Sequence, residues 1–227
     1  NELHHAGRFV AGPSGPMLLA NKQSQPEGTQ AYLVDLPSVM PANIQSDLLH
    51  NMLTQLEARH PDEAITLVGH SAGGVISRLT LVRYQHPAVS KLITIASPHI
   101  GTPRTYQGLD ITRDHGPFNV VKSFIGGSEY DALRHSRNLL VDLSPPRPGN
   151  MLYWLNSQAH PDIEYVSVIR TRPDGLPGDD IVPGFSQDMN NVPALRGRAK
   201  AYVAPLPHGL TPADASVILG LLKETAG

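Results

Sequence analysis

Residues 64–74, Ala-Ile-Thr-Leu-Val-Gly-His-Ser-Ala-Gly-Gly, constrain this chain more than any other stretch. Ala64 to Val68 are apolar and β-branched in the middle, the pattern of a short buried strand. Gly69-His70-Ser71-Ala72-Gly73 then matches G-x-S-x-G. Residues 75–83 read as a helix. Strand, sharp turn and helix together form the context in which that motif presents a serine clear of the sheet. The flanking glycines let the two backbones pass closely with no Cβ between them. The helix N-terminus behind Ser71 favours developing negative charge.

The rest of the chain alternates in the same way. A strand is expected within residues 1–16, ending in a Gly/Pro/Ser loop. A helix is expected to begin within 17–25, and residues 31–37 read as a second strand. In residues 43–59, Ile44, Leu48, Leu49, Met52, Leu53 and Leu56 fall on one stripe, which predicts a helix with Asn43 as N-cap and Pro61 beyond its end. Strands follow at 91–97, 163–169 and 199–203, with a short helix at 151–156. Thr211, Pro212 and Asp214 form an acidic capping box for a last helix that turns Val217, Ile218, Leu221 and Leu222 to the core. Strands separated by helices imply an α/β fold, a mostly parallel sheet with helices on both faces. Residues 103–160 break the rhythm and read as a cap-like or lid insertion over the C-terminal edge of the sheet, with ordinary connecting helices as the alternative. No repeat or linker divides the chain, so residues 1–227 are expected to form a single domain.

Composition narrows the chemistry. The chain has 227 residues, enough for one α/β domain with a full core. A net charge of -2 leaves no electrostatic footprint for nucleic acid. Cysteine is absent, which removes disulfides, thiolate catalysis and cysteine metal sites. No run approaches the ~18 apolar residues of a membrane span. A soluble protein without cofactor is expected, with the cytoplasm slightly favoured and the oligomeric state open. Because it begins at Asn1 rather than Met, the chain reads as a fragment, a processed form or part of a longer protein.

A serine hydroxyl needs a base within hydrogen-bond reach, and the base needs a third group to hold its tautomer. Of the 11 histidines, His208 has the best position, in the loop between the last strand and the last helix. Asp179 and Asp180 both suit the third role, ahead of Asp174 and Asp188. A calcium site on the paired carboxylates lacks oxygen ligands at regular spacing, and no metal is expected. Two backbone N–H groups should face the developing oxyanion. Ala72 supplies one. Ser14 or Gly15, in the early Gly12–Gly15 loop, would supply the other, since Pro13 has no N–H. His70 and His99 are candidates for lining the substrate pocket.

With these residues in place, the chain resembles the α/β-hydrolase superfamily, in particular small lipases and esterases. The resemblance rests on Gly69-His70-Ser71-Ala72-Gly73-Gly74, Ile95-Ala96-Ser97-Pro98-His99-Ile100-Gly101-Thr102-Pro103, Gly178-Asp179-Asp180-Ile181-Val182-Pro183 and Pro207-His208-Gly209-Leu210. It covers roughly residues 30–223, in the order Ser…Asp…His. It implies a three-layer fold and cleavage of small-molecule or lipid esters through an acyl-enzyme, and it maps the acid onto Asp179. It also exposes a departure: no His-Gly occurs before residue 69, where such enzymes carry an oxyanion donor. An acyltransferase on the same residues and a non-catalytic binding protein of this fold are the rival readings.

Overall fold

The computed structural model describes residues 3–13, 15–22, 28–106 and 137–224. In chain order its elements are β1 (Leu3–Gly12), β2 (Gly15–Ala20), β3 (Thr29–Val34), α1 (Ala42–Arg59), β4 (Ile65–His70), α2 (Ala72–Tyr84) and β5 (Val89–Ile95). After these come α3 (Met151–Ser157), β6 (Glu164–Arg170), α4 (Gly184–Gln187), β7 (Ala199–Ala204) and α5 (Pro212–Lys223). Strands β4-β5-β6-β7 lie side by side in that order, all parallel. A second sheet has the order β2-β1-β3, with β1 parallel to β3 and antiparallel to β2.

Side-chain alternation on the four-stranded sheet divides the core in two. Leu92 on β5 and Tyr165 on β6 join Leu49 and Leu53 of α1 and Val75, Ile76 and Leu79 of α2. Their neighbours Ile93, Ile95, Val166 and Val168 face the other way, against Leu221, Val217 and Ile218 of α5. Period-two strands between two helical layers give the three-layer α/β-hydrolase architecture. Each fully buried aliphatic side chain contributes roughly 2 kcal/mol. Lys91 of β5 ties down the end of α5, its Nζ donating to the carbonyls of Leu221 at 2.7 Å and Glu224 at 3.0 Å. This places a cation where the helix dipole is negative. The capping box forms at the other end, with Thr211 N–H donating to Asp214 Oδ2 at 2.8 Å.

Three local expectations are corrected. Residues 15–20 form a strand, not the start of a helix, and Met17 pairs with Val10 across a hairpin whose last register pair is Gly12–Gly15. A four-residue apolar run carries no period long enough to choose, and pairing with β1 decides it. Asn43 is not the N-cap of α1. The helix begins at Ala42, and its N–H donates to the Asp142 carboxylate at 2.9 Å, a cap supplied from 100 residues away. Ile44 lies outside the buried stripe and is exposed, while Gln45 and Ser46 are buried.

The proposed insertion is described only at its two ends, because residues 107–136 lie outside the described residues. The described part includes a helical stretch at 137–142 and α3. Leu139, Leu143, Leu152 and Leu155 from this part are buried in the same core as α1 and α2.

Candidate active site

Loops leaving the C-terminal ends of β4, β6 and β7 converge on one point, the end of a parallel sheet at which ligand sites are built. Ser71 follows β4 directly. Its φ is 51° and ψ -127°, a left-handed conformation for a residue with a side chain. Such strain persists only when neighbours over-determine it. Here Ser71 N–H donates to the Ile95 carbonyl at 2.8 Å, and Gly74 N–H returns to the Ser71 carbonyl at 3.1 Å. Ala72 is the first residue of α2, so its N–H belongs to the unsatisfied group at a helix start.

The structure brings Ser71, His208 and Asp179 into one line. His208 Nε2 stands 3.0 Å from Ser71 Oγ, and His208 Nδ1 stands 2.9 Å from Asp179 Oδ2. A carboxylate can only accept, so the His208 proton sits on Nδ1 and leaves Nε2 free to accept from the serine hydroxyl. Ser71 and His208 are nearly buried. Asp179 Oδ1 accepts from the N–H groups of Ile181 and Val182, both at 2.8 Å. Burial works to raise the Asp179 carboxyl, but the bond and charge of His208 and these two N–H groups overcome it and hold the group below its ordinary range. His208 meets Asp179, while the backbone carbonyl of the neighbouring Asp180 accepts from Arg104 Nε at 2.8 Å. Geometry therefore selects Asp179 from the pair.

The acid loop is clamped by the segment leaving β5. Thr102 Oγ1 donates to the Ile181 carbonyl at 2.5 Å, and Ser186 Oγ donates to the Gly101 carbonyl at 2.6 Å. Gly178 has a φ of 107°, and a Cβ there would meet Gly184 N at 2.5 Å. That turn accepts only glycine.

His70 and His99, expected to line the substrate pocket, are each held by contacts within the protein. His70 donates from Nε2 to the His208 carbonyl at 2.7 Å, so its ring positions the base's backbone. Burial holds it below the ordinary histidine range and keeps it neutral. His99 is wholly buried, with Nδ1 3.1 Å from Arg78 Nη1 and Nε2 3.0 Å from Thr94 Oγ1. It cannot touch a substrate from there. Ser14, expected to supply an oxyanion donor, lies outside the described residues.

Sequence reasoning missed the group that holds His99. Arg78 of α2 is fully buried and donates to His160 Nε2 at 3.2 Å and to Asn156 Oδ1 at 2.5 Å, besides meeting His99. These partners are neutral, and desolvation pushes the guanidinium down to about 9. A signal was present: Arg78 interrupts a helix segment, Gly74–Leu81, that is buried on every side. Among the described residues no group of three or more potential ligands is placed to hold a metal ion. No described helix is long and apolar enough to cross a membrane.

The fold is that of the α/β hydrolases. Residues 40–114 match the PGAP1-like alpha/beta domain family. A GPI inositol-deacylase of Debaryomyces hansenii is 40% identical over 53 residues, 22% of this chain and 5% of that protein. One of Emericella nidulans is 35% identical over 69 residues, 29% of this chain and 6% of that protein. The chain therefore matches a small part of these curated relatives. Among solved structures, a lipase-esterase related protein of Clostridium acetobutylicum superposes with a TM-score of 0.57 at 14% identity, over 92% of this chain and 82% of that one. A mature lipase of Bacillus licheniformis superposes with a TM-score of 0.57 at 16% identity, over 85% and 78%. These two likenesses are of fold.

Proposed function

We propose that this chain is a serine hydrolase that cleaves carboxylic esters through an acyl-enzyme on Ser71. The observation that carries the reading is the continuous line Asp179 Oδ2, His208 Nδ1, His208 Nε2, Ser71 Oγ, with spacings of 2.9 and 3.0 Å at its two hydrogen bonds. His208 takes the Ser71 proton as Oγ attacks the ester carbonyl carbon. Asp179 stabilises the imidazolium that forms. The carbonyl oxygen becomes negative and is met by Ala72 N–H at the positive end of α2. The tetrahedral species collapses, the C–O bond to the alcohol breaks, and His208 Nε2–H protonates the departing oxygen. Water then attacks the acyl-enzyme with His208 again as base, and Ser71 is released.

The names of the matching relatives support acyl-ester chemistry, since a deacylase removes an acyl group. A small-molecule or lipid ester is the substrate class this reading takes. The test is hydrolysis of a p-nitrophenyl ester chain-length series, beside Ser71→Ala and labelling by a serine-reactive phosphonate. Turnover that disappears in the variant, with labelling of Ser71 alone, supports the reading. A folded protein that neither turns over nor labels refutes it. Added alcohol in the same assay separates hydrolysis from acyl transfer by the product formed.

A further inference from the structure

We infer that Gln187 is a positioning residue of this site, holding the Asp179 carboxylate so that one of its oxygens meets His208; the inference rests on the serine-hydrolase reading above. Gln187 closes α4 and is almost wholly buried. Its Nε2 donates to Asp179 Oδ2 at 3.0 Å and to the Val182 carbonyl at 2.8 Å, and its Oε1 accepts from Arg170 N–H at 2.8 Å. Both amide protons and the carbonyl are engaged. Flipping the amide would set oxygen against two acceptors and NH2 against an N–H, so the orientation is unambiguous.

The contact falls on a telling atom. Oδ2 is the oxygen that takes His208 Nδ1–H, while Oδ1 is held by the loop's own backbone. Among the described residues, His208 and Gln187 are the two side chains that donate to this carboxylate. The backbone bonds travel with the acid loop. Gln187 instead ties the carboxylate to Arg170, the last residue of β6, a rigid reference. The line from sheet to nucleophile thus runs Arg170 N–H, Gln187, Asp179, His208, Ser71. Removing Gln187 would let the carboxylate swing about its backbone-held oxygen. The charged and titratable groups around the line are His208 and Asp179 themselves, Asp180 beside them, and His70, which faces His208, Arg170 and Asp214.

Gln187→Glu tests this, because it keeps the shape and the acceptor for Arg170 N–H while making donation to Asp179 depend on a proton. Two carboxyl groups this close do not both ionise readily. While the new carboxyl holds its proton, that single O–H donates to Oδ2, the charged acceptor, and the Val182 carbonyl loses its donor. Once it ionises it repels Asp179. The ratio of variant to wild-type kcat should therefore fall about tenfold or more between about pH 6 and about pH 9, with KM unchanged. Gln187→Met, which cannot donate at any pH, should lower kcat about tenfold with a ratio flat in pH and KM unchanged. It also serves if Gln187→Glu does not fold. A merely structural role would lower thermal stability in both variants and leave both ratios near one in the folded fraction, and that result overturns the proposal. The Ser71→Ala control separates this failure from failure of the hydrolase reading. If wild-type protein turns over no ester, the downfield Nδ1–H proton resonance of His208 decides in its place: Gln187→Met should shift it by loosening the hold on Asp179 Oδ2, and an unmoved resonance overturns the proposal.

Discussion

Gly69 of β4 lies directly against Gly74 of α2: a Cβ on Gly69 would meet Gly74 Cα at 2.6 Å and Gly74 N at 2.7 Å. The strand that ends at the serine and the helix that begins there are in backbone contact. Gly74 presses in turn on the next strand, where a Cβ would meet Ser97 Cβ and Thr94 Cγ2, each at 2.9 Å. Backbone has nowhere to move. Gly69→Ala should therefore destabilise the fold by about 3 kcal/mol, read by urea unfolding, and lower the yield of active protein. An unfolding midpoint equal to that of wild type would refute this packing. Gly73, where an added Cβ meets nothing within 4 Å, is the control.

Ser71, His208 and Asp179 should fail together in rate and not in fold. Ser71→Ala and His208→Ala are each expected to lower kcat by about a thousandfold or more, with Asp179→Asn somewhat less severe. Circular dichroism and thermal melts should stay close to wild type for Ser71→Ala. The double variant Ser71→Ala/His208→Ala should be little worse than either single one, because the two act as a unit. Independent, multiplying effects would break the assignment.

Acid should weaken the core through His160. Burial first, then the Arg78 guanidinium, pushes its pKa from the ordinary 6.5 to about 4. The native state thus binds this proton less readily than the unfolded chain. The stability held by the neutral ring is fully present above pH 6.5 and is lost as pH falls toward about 4. His160→Gln, which can still accept from Arg78 Nε, should flatten this loss by on the order of 1–2 kcal/mol, discounted for the solvent that reaches the ring. Urea midpoints at a series of pH values measure it. An unchanged slope in the variant would remove His160 as the cause.

Asp214 carries two loads. It caps α5 through Thr211, and its Oδ1 lies 2.7 Å from Arg170 Nη1 in a buried ion pair. Arg170 is wholly buried, so Asp214→Ala should cost about 3–5 kcal/mol by leaving that charge alone. Thr211→Ala, which leaves the ion pair, should cost only about 1 kcal/mol. Equal losses would show that the cap, and not the buried charge, dominates.

Much of this molecule is legible from local pattern. Period-two and period-3.6 runs place β4 to β7, α1, α2 and α5, because each element must bury one face whatever its neighbours are. The turn at Ser71 is legible too, since only glycine-flanked backbone makes so tight a strand-to-helix passage. Chain order then nominates His208 and an aspartate beside Ile181. Local pattern fails where a contact joins distant residues. Residues 15–20 become a strand because β1 lies alongside them. Asp142 caps a helix that begins at Ala42. The choice of Asp179 over its neighbour depends on which way one turn faces, and two adjacent aspartates are equivalent until the turn closes. His99 reads as a pocket residue until α2 brings Arg78 against it, and Gln187 reads as an ordinary polar residue until Arg170 and Asp179 meet on its two sides. The sequence by itself sets the elements and their order, since hydrophobic periodicity is a property of neighbours along the chain. Which polar atoms come within 3 Å is a property of packing between elements, and it emerges only when the sheet, its helices and its loops have closed around them.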